Sequence, residues 1–160
     1  MKILVLSDSH STLSFMRRCI DTVKPDVLIH LGDHYDDGEA MAEEYPRILL
    51  YQVPGNCDRY RCRPGIPEIM IPRIGGVDVY MTHGHKHSVK SYLGSLLRDA
   101  RKANAGLVLY GHTHILFEQA AEVFLVQSHK FHSFVHGQFL AVMQLNMLQQ
   151  RFQSGHIAAL

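Results

Sequence analysis

The chain has 160 residues, the size of a single domain with one sizeable core. Apolar residues make up 46% of it and charged residues 19%, which excludes a disordered or low-complexity chain. A formal net charge of +1, from 16 Lys+Arg against 15 Asp+Glu, argues against a large nucleic acid as partner.

Lys2 to Ser7 reads as a buried strand that stops at Asp8-Ser9-His10. Ser11 is the expected N-cap of a helix whose apolar positions Leu13, Met16, Cys19, Ile20 and Val23 recur at helical spacing. Pro25 closes it. Val27 to Leu31 is a second buried strand, stopped by Gly32-Asp33. A short helix around 39–45 precedes a strand over 48–53, which stops at Pro54-Gly55-Asn56. The segment 64–81 reads as two strands around Gly75-Gly76, a hairpin signal, interrupted by Thr82-His83-Gly84-His85. An amphipathic helix is expected over about 88–103, with Val89, Tyr92, Leu93, Leu96, Leu97 and Ala100 on one face and Gly106 just beyond. A last buried strand, 107–110, ends in Gly111-His112-Thr113-His114.

Alternation of strands and helices gives an α/β fold. Asp8/His10, Asp33, Asn56, His83 and His112/His114 each follow the end of an apolar run. Ligands of open α/β sheets bind beyond the carboxyl ends of the strands, so five strand ends deliver oxygen and imidazole groups to one site. The set holds no thiolate and suits Mn²⁺, Fe²⁺ or Zn²⁺ rather than an iron–sulfur or structural zinc site. Seven ligands exceed the four of a closed zinc site. They match two metals about 3.5–4 Å apart that share a carboxylate and leave room for water and substrate. Such a pair acidifies a bridging water, and the hydroxide attacks phosphorus in line with the leaving oxygen.

In order, Asp8-Ser9-His10, Gly32-Asp33-His34-Tyr35-Asp36, Gly55-Asn56-Cys57-Asp58, His83-Gly84-His85 and Gly111-His112-Thr113-His114 resemble the five motifs of the calcineurin-like metallophosphoesterases. Chain length and the Gly-Asn-Cys-Asp variant look most like the small prokaryotic YfcE-like phosphodiesterases. The resemblance covers about residues 1–115. It implies a four-layer αββα sandwich of two mixed β-sheets flanked by helices, in place of the doubly wound sheet that alternation alone gives. It places a first metal on Asp8, His10, Asp33 and His114 and a second on Asp33, Asn56, His83 and His112, with Asp33 bridging. Mn²⁺ is the first choice, with Fe²⁺, Ni²⁺ and Zn²⁺ as alternatives. Asp33, Asn56, His83 and Asp58 are expected to carry catalysis, and His34, Cys57, Arg59 and His85 to meet the substrate, a small phosphodiester. Relatives often form homodimers or homotetramers, which sets the same expectation here.

Three departures stand out. Cys57 occupies the position where many relatives carry a His that protonates the leaving group. A neutral thiol donates poorly and a thiolate repels phosphate, so diesters with good leaving groups are expected, with His34 or His85 as substitute donors. Asp36 stands where purple acid phosphatases carry a Tyr ligand, and Tyr35 is one residue out of register. From residue 123 onward there is no Asp or Glu, yet this stretch holds six of the eight Gln and four of the twelve His. That break, and the lack of the Asn-Pro-Gly-Ser loop seen in relatives, predicts that 123–160 is a replaced or out-of-frame tail. A tail that fails to supply the closing strand would leave a sheet edge open.

His30, inside an apolar strand, is expected in the core, while His129, His132, His136 and His156 reflect tail composition. Asp36 and Asp37 read as an N-cap for the following helix, and Asp58 as a residue that orients a ligand or the site loop. Arg59, Arg61 and Arg63 form either a solvated basic loop or a rim that guides an anion. Three cysteines, Cys19, Cys57 and Cys62, argue against a secreted disulfide framework. The opening apolar run is shorter than a signal peptide's core, and no stretch reaches the roughly 18–20 apolar residues that span a bilayer. A soluble, cytoplasmic, metal-dependent phosphodiesterase is the resulting expectation. Its first rival is a non-catalytic metal-binding interaction module on the same fold, similar to the retromer subunit, in which several of these positions are altered. Its second is a nuclease, for which the chain has neither additional domains nor a basic surface.

Overall fold

The computed structural model describes residues 1–113 and 139–144. Its elements run β1 (Lys2–Ser7), α1 (Leu13–Val23), β2 (Val27–His30), α2 (Tyr35–Glu44), β3 (Leu49–Gln52), β4 (Ile69–Met70), β5 (Arg73–Ile74), β6 (Val77–Thr82), α3 (Gly94–Lys102), β7 (Leu107–Tyr110) and β8 (Phe139–Gln144). One sheet has the order β3-β2-β1-β8, with β1, β2 and β3 parallel and β8 antiparallel to β1. In the other, β6 pairs in parallel with β7 and antiparallel with β4 and β5. Both sheets are mixed.

Side chains that alternate along a strand point to opposite faces, and the strands use both. Ile3, Val5, Val27, Ile29 and Leu31 face Val77, Val79, Met81, Leu107 and Leu109 in a core between the sheets. Leu4, Leu6 and Leu28 pack on the other side against Phe15, Met16, Cys19 and Ile20 of α1 and Met41 of α2. On the far side, Tyr80 and Tyr110 pack against Val89 and against Leu96 and Ala100 of α3. The layers are therefore α1/α2, sheet, sheet, α3. Strands buried on both faces read as unbroken apolar runs, which is why alternation alone suggested one doubly wound sheet.

The expected hairpin forms around Gly75 and Gly76, whose φ of 57° and 85° suit a two-residue turn. It begins at Ile69 rather than 64. β4 and β5 share one register against β6, with Ile69 opposite Thr82 and Ile74 opposite Val77. Pro72 lies between them. Its carbonyl accepts from the Val79 N–H at 2.9 Å, but it has no N–H to return, so the ladder breaks there.

Three helix expectations need correction. Ser11 does not cap α1: its hydroxyl lies 2.8 Å from His34 Nδ1, its N–H donates to Asp37, and Thr12 flanks the helix. α2 starts four residues before 39 because its first N–H groups find an acceptor outside the helix, as described below. α3 starts at Gly94 rather than 88: Ser88, with a left-handed φ of 55°, closes a 3-10 turn over 85–87, and Tyr92, expected on the buried face, is 71% exposed. Strand β8 lies along β1, Lys2 opposite Gln144 and Ser7 opposite Phe139, so residues of the tail occupy that edge. The rest of 123–160, with His129, His132, His136 and His156, lies outside the described residues. No helix among the described residues is long and apolar enough to cross a membrane.

His30 is fully buried, as expected, and its Nε2 lies 3.1 Å from Ser9 Oγ. The Ser9 hydroxyl donates to Asp37 Oδ2 at 2.7 Å, so its oxygen is left to accept from a neutral His30. Burial lowers the His30 pKa to about 4, against the opposing pull of Asp37 and Asp58. The unfolded chain therefore takes up a proton below about pH 6.5 that the folded state refuses. Stability from this group is intact above that pH and falls on acidification toward pH 4, by up to about 1.4 kcal/mol per unit. Urea unfolding at several pH values should show a smaller acid-side slope for His30→Gln than for the parent; equal slopes would refute the assignment.

Candidate metal centre

The carboxyl ends of β1, β2, β6 and β7 open into loops that turn through left-handed residues. Asp8 (φ 56°), His10 (44°), Ser11 (64°), Asp33 (58°), His34 (73°) and His112 (72°) are six of the nine described non-glycine residues with positive φ. Each costs on the order of 1 kcal/mol, and their concentration at one end of the sandwich marks where side chains are being aimed.

The loops touch through their glycines. A Cβ at Gly55 would strike the Asp33 carboxylate, and one at Gly111 would strike Ser7 Oγ and come within 3.0 Å of Asp8 Oδ2. Only bare backbone can lie this close to the carboxylates. Bonds also cross between loops: Asp8 N–H donates to the Gly32 carbonyl (2.8 Å), and His112 N–H to Asp8 Oδ2 (3.2 Å).

Asp58 is wholly buried and makes the tightest of these links. Its carboxylate accepts backbone N–H groups from Asp33 (2.9 Å), His34 (2.7 Å), Tyr35 (2.9 Å) and Gly55 (2.7 Å). The His34 side chain makes no capping bond, so Asp58 satisfies the start of α2 from a loop more than twenty residues further on. Of the two expectations for Asp58, this geometry fits orientation of the site loop rather than contact with a reacting group.

Asp8, His10 and Asp33 each offer a ligand atom, and these lie within 4.8 Å of one another. Asn56 and His83 approach Asp33 from the loops after β3 and β6, with the His112 ring beside that of His83. His83 is fully buried, and its Nδ1 sits 2.7 Å from the Leu31 carbonyl, to which it donates. The other ring nitrogen, Nε2, lies on the side of Asn56 and Asp33. It faces Asn56 Oδ1 at 3.1 Å and Asp33 Oδ1 at 3.5 Å. An imidazole nitrogen, an amide oxygen and a carboxylate oxygen converge here, a donor set suited to a borderline divalent cation. The residues present thus fit a divalent metal. The ring of His112 lies 5.0 Å from that of His83, and its buried Nδ1 has no hydrogen-bond partner among the described residues. His114 lies outside the described residues.

Burial, and then His83, lowers the His112 pKa to about 4, and the same two causes lower that of His85; both rings are favoured as neutral donors. Burial alone would raise the Asp33 carboxyl, but the Cys57 N–H at 2.9 Å, His83 and His10 outweigh it and hold it below the usual carboxylate range. Burial, and next the bond to Asp33, pushes the Cys57 thiol up.

His85 lies by the metal-ligand candidates, 5.4 Å from His83 and 6.1 Å from His112 between ring centroids, with its buried Nδ1 unpartnered among the described residues. His34 sits edge-on to His10 at 5.1 Å, with Nδ1 held by Ser11. Cys57 is exposed, and the Asn56 amide donates to its Sγ at 3.3 Å. The Arg59 guanidinium lies 5.7 Å over the exposed Tyr60 ring, and Arg61 pairs with Asp36 at 2.9 Å. His34, Asp36 and Asp37 form a second cluster of ligand types, but Asp36 holds Arg61 and Asp37 holds Ser9 and Ser11. Asp37, read from the sequence as a cap, instead anchors the Asp8–His10 loop. No local pattern signals that role, because its partners lie 26–28 residues away.

A family model for the calcineurin-like phosphoesterase superfamily domain matches residues 1–143. The chain is 29% identical over 117 residues to the "Probable metallophosphoesterase" of Mycoplasma pneumoniae, covering 71% of this chain and 68% of the relative. It is 28% identical over 142 residues to a phosphodiesterase of Methanocaldococcus jannaschii, covering 79% and 81%. A solved structure from Streptococcus pneumoniae TIGR4, described as a predicted phosphoesterase, aligns with a TM-score of 0.57 at 28% identity, covering 71% and 62%. The chain thus spans about two thirds of the length of the Mycoplasma and streptococcal proteins. Vacuolar Protein Sorting 29 from Cryptosporidium parvum aligns with a TM-score of 0.57 at 22% identity, covering 74% and 69%, a likeness of fold alone.

Removing the Asp58 carboxylate leaves four backbone N–H groups without their acceptor. Asp58→Ala should lose on the order of 3 kcal/mol in chemical denaturation and weaken Mn²⁺ binding measured by calorimetry. An unchanged metal affinity in the folded variant would show that the two loops hold their places without it.

Proposed function

Because the chain belongs to the calcineurin-like phosphoesterase superfamily, we propose that it is a two-metal phosphodiesterase acting on small phosphodiesters. The observation that carries this reading is the convergence of His83 Nε2, Asn56 Oδ1 and Asp33 Oδ1 beside the cluster of Asp8, His10 and Asp33, an oxygen and imidazole donor set of the kind that holds divalent ions. Asp8, His10 and Asp33 would hold one ion, joined by His114 as the motif resemblance implies. Asp33, Asn56, His83 and His112 would hold the other. Mn²⁺ is the ion proposed first, with Fe²⁺, Ni²⁺ or Zn²⁺ also suited to oxygen and imidazole donors. When bound, two divalent ions lower the pKa of a water held between them and offset charge building on the phosphoryl oxygens.

The chain's own groups set the geometry. The Leu31 carbonyl fixes the tautomer and direction of His83, and the Cys57 N–H holds one oxygen of Asp33. A Cys57 thiol kept protonated places no negative charge beside an incoming phosphate. Likeness to a protein named as a phosphodiesterase supports a diester as substrate. The rival, a non-catalytic metal-binding module, is separated from this reading by the same experiment.

Protein stripped of metal should be inactive on a chromogenic phosphodiester and regain saturable turnover as Mn²⁺ is added. Asp33→Asn should lose more than about a hundredfold of that activity. Metal binding without turnover of any diester would favour the interaction module. A second expectation concerns pH: kcat/KM should rise between about pH 6 and about pH 9, because imidazole ligands bind metal when neutral and the attacking water must lose a proton. A flat or acid-favouring profile would refute a deprotonated water as nucleophile.

A further inference from the structure

The loop after Asn56 presents an aromatic ring that nothing in the fold explains. Tyr60 is 91% exposed, the most exposed of the described large hydrophobic residues. Yet its backbone is firmly held. Residues 56–58 form a 3-10 turn, Arg59 continues it with helical φ and ψ, and the N–H groups of Arg61 (2.9 Å) and Cys62 (3.3 Å) both bond to the Asp58 carbonyl. Arg61 also clamps Asp36 at 2.9 Å, and the Asp58 side chain is locked to the Asp33 loop. A ring left in water on a rigid turn is poised for a ligand rather than for packing.

The helical turn also sets where the ring stands. In a 3-10 turn residues three apart eclipse, so Arg59 stands over Asn56, whose amide oxygen meets His83, and Tyr60 over Cys57, whose N–H meets Asp33. A separation of three helical residues puts the Tyr60 Cα about 5–6 Å from that of Cys57. Arg59 shares the face of Asn56 and lies 5.7 Å over the Tyr60 ring. Asp58, in the same turn, is buried.

From this placement we infer that Arg59 and Tyr60 form a stacking platform at the rim of the site, which selects phosphodiesters carrying a nucleobase or similar flat aromatic group. The guanidinium attracts the phosphate and the paired planar groups take the ring, a combination that serves any base because every base has a π-face. The inference rests on the phosphodiesterase reading for its catalytic half only. A platform of this kind acts on choice among substrates, not on the chemical step.

Two esters with the same leaving group test it: the p-nitrophenyl ester of thymidine 5′-phosphate and methyl p-nitrophenyl phosphate, each assayed with Mn²⁺. The ratio of their kcat/KM values should favour the thymidine ester in the parent and fall about tenfold in Tyr60→Ala, while Tyr60→Phe keeps it. Calorimetry with thymidine 5′-monophosphate, using inorganic phosphate as the control, should show the same loss and the same rescue. An unchanged ratio with unchanged nucleotide affinity in Tyr60→Ala overturns the platform. If the parent turns over neither ester, the catalytic reading fails, and nucleotide binding alone then decides for or against the platform.

Discussion

Four backbone N–H groups from two separate loops meet on the Asp58 carboxylate, and the placing of Asp33, His34, Asn56 and Cys57 depends on that junction. Burying a carboxylate is costly unless hydrogen bonds replace its water, and here the replacements are charge-assisted bonds of 2.7–2.9 Å. The bonds do two things at once. They start α2 directly behind Asp33, and they hold Gly55 against the Asp33 carboxylate so that Asn56 and Cys57 approach it from the β3 side.

The sandwich supplies the rest. Each sheet alone would place its strand ends along one edge, but two sheets packed through Ile3, Val5, Ile29, Val79, Met81 and Leu109 bring two such edges together. Cross-sheet bonds then fasten the edges: His83 of one sheet to Leu31 of the other, and His112 to Asp8. Left-handed backbone at Asp8, His10, Asp33, His34 and His112 is tolerated because these partners over-determine it. Asp37 plays the matching part on the β1 side, gripping Ser9 and Ser11 on either flank of His10.

Single substitutions in these links should therefore disturb metal geometry before they disturb the core. The inter-sheet cluster is built of apolar side chains and includes none of the residues bonded to Asp58 or Asp37. Tyr60 and Arg59 stand apart from both systems, since their side chains neither pack in the core nor brace a ligand. That separation lets Arg59 and Tyr60 vary without altering the candidate metal ligands.

Strands β1, β2 and β7 were readable because continuous apolar runs bounded by Asp, Gly or His have few other solutions, and β6 from the hairpin signal at Gly75-Gly76; the strand-end rule then located Asp8, Asp33, Asn56, His83 and His112 together. The helix starts were not readable. Ser11 looks like a cap until His34 and Asp37 claim it, and α2 lacks a local cap because Asp58 provides one from a distance. Nor does the sequence show that Pro72 splits one strand into two, or that residues 139–144 lie along β1. Residue types and their order by themselves determined the chemistry: which side chains can bind a cation, and that they sit at strand ends. Tertiary structure alone decided which of them meet, which way the His83 ring points and which carboxylate orients rather than binds. Those choices are made by hydrogen bonds between residues 23–104 apart in the chain, whose partners exist only once both sheets are in place.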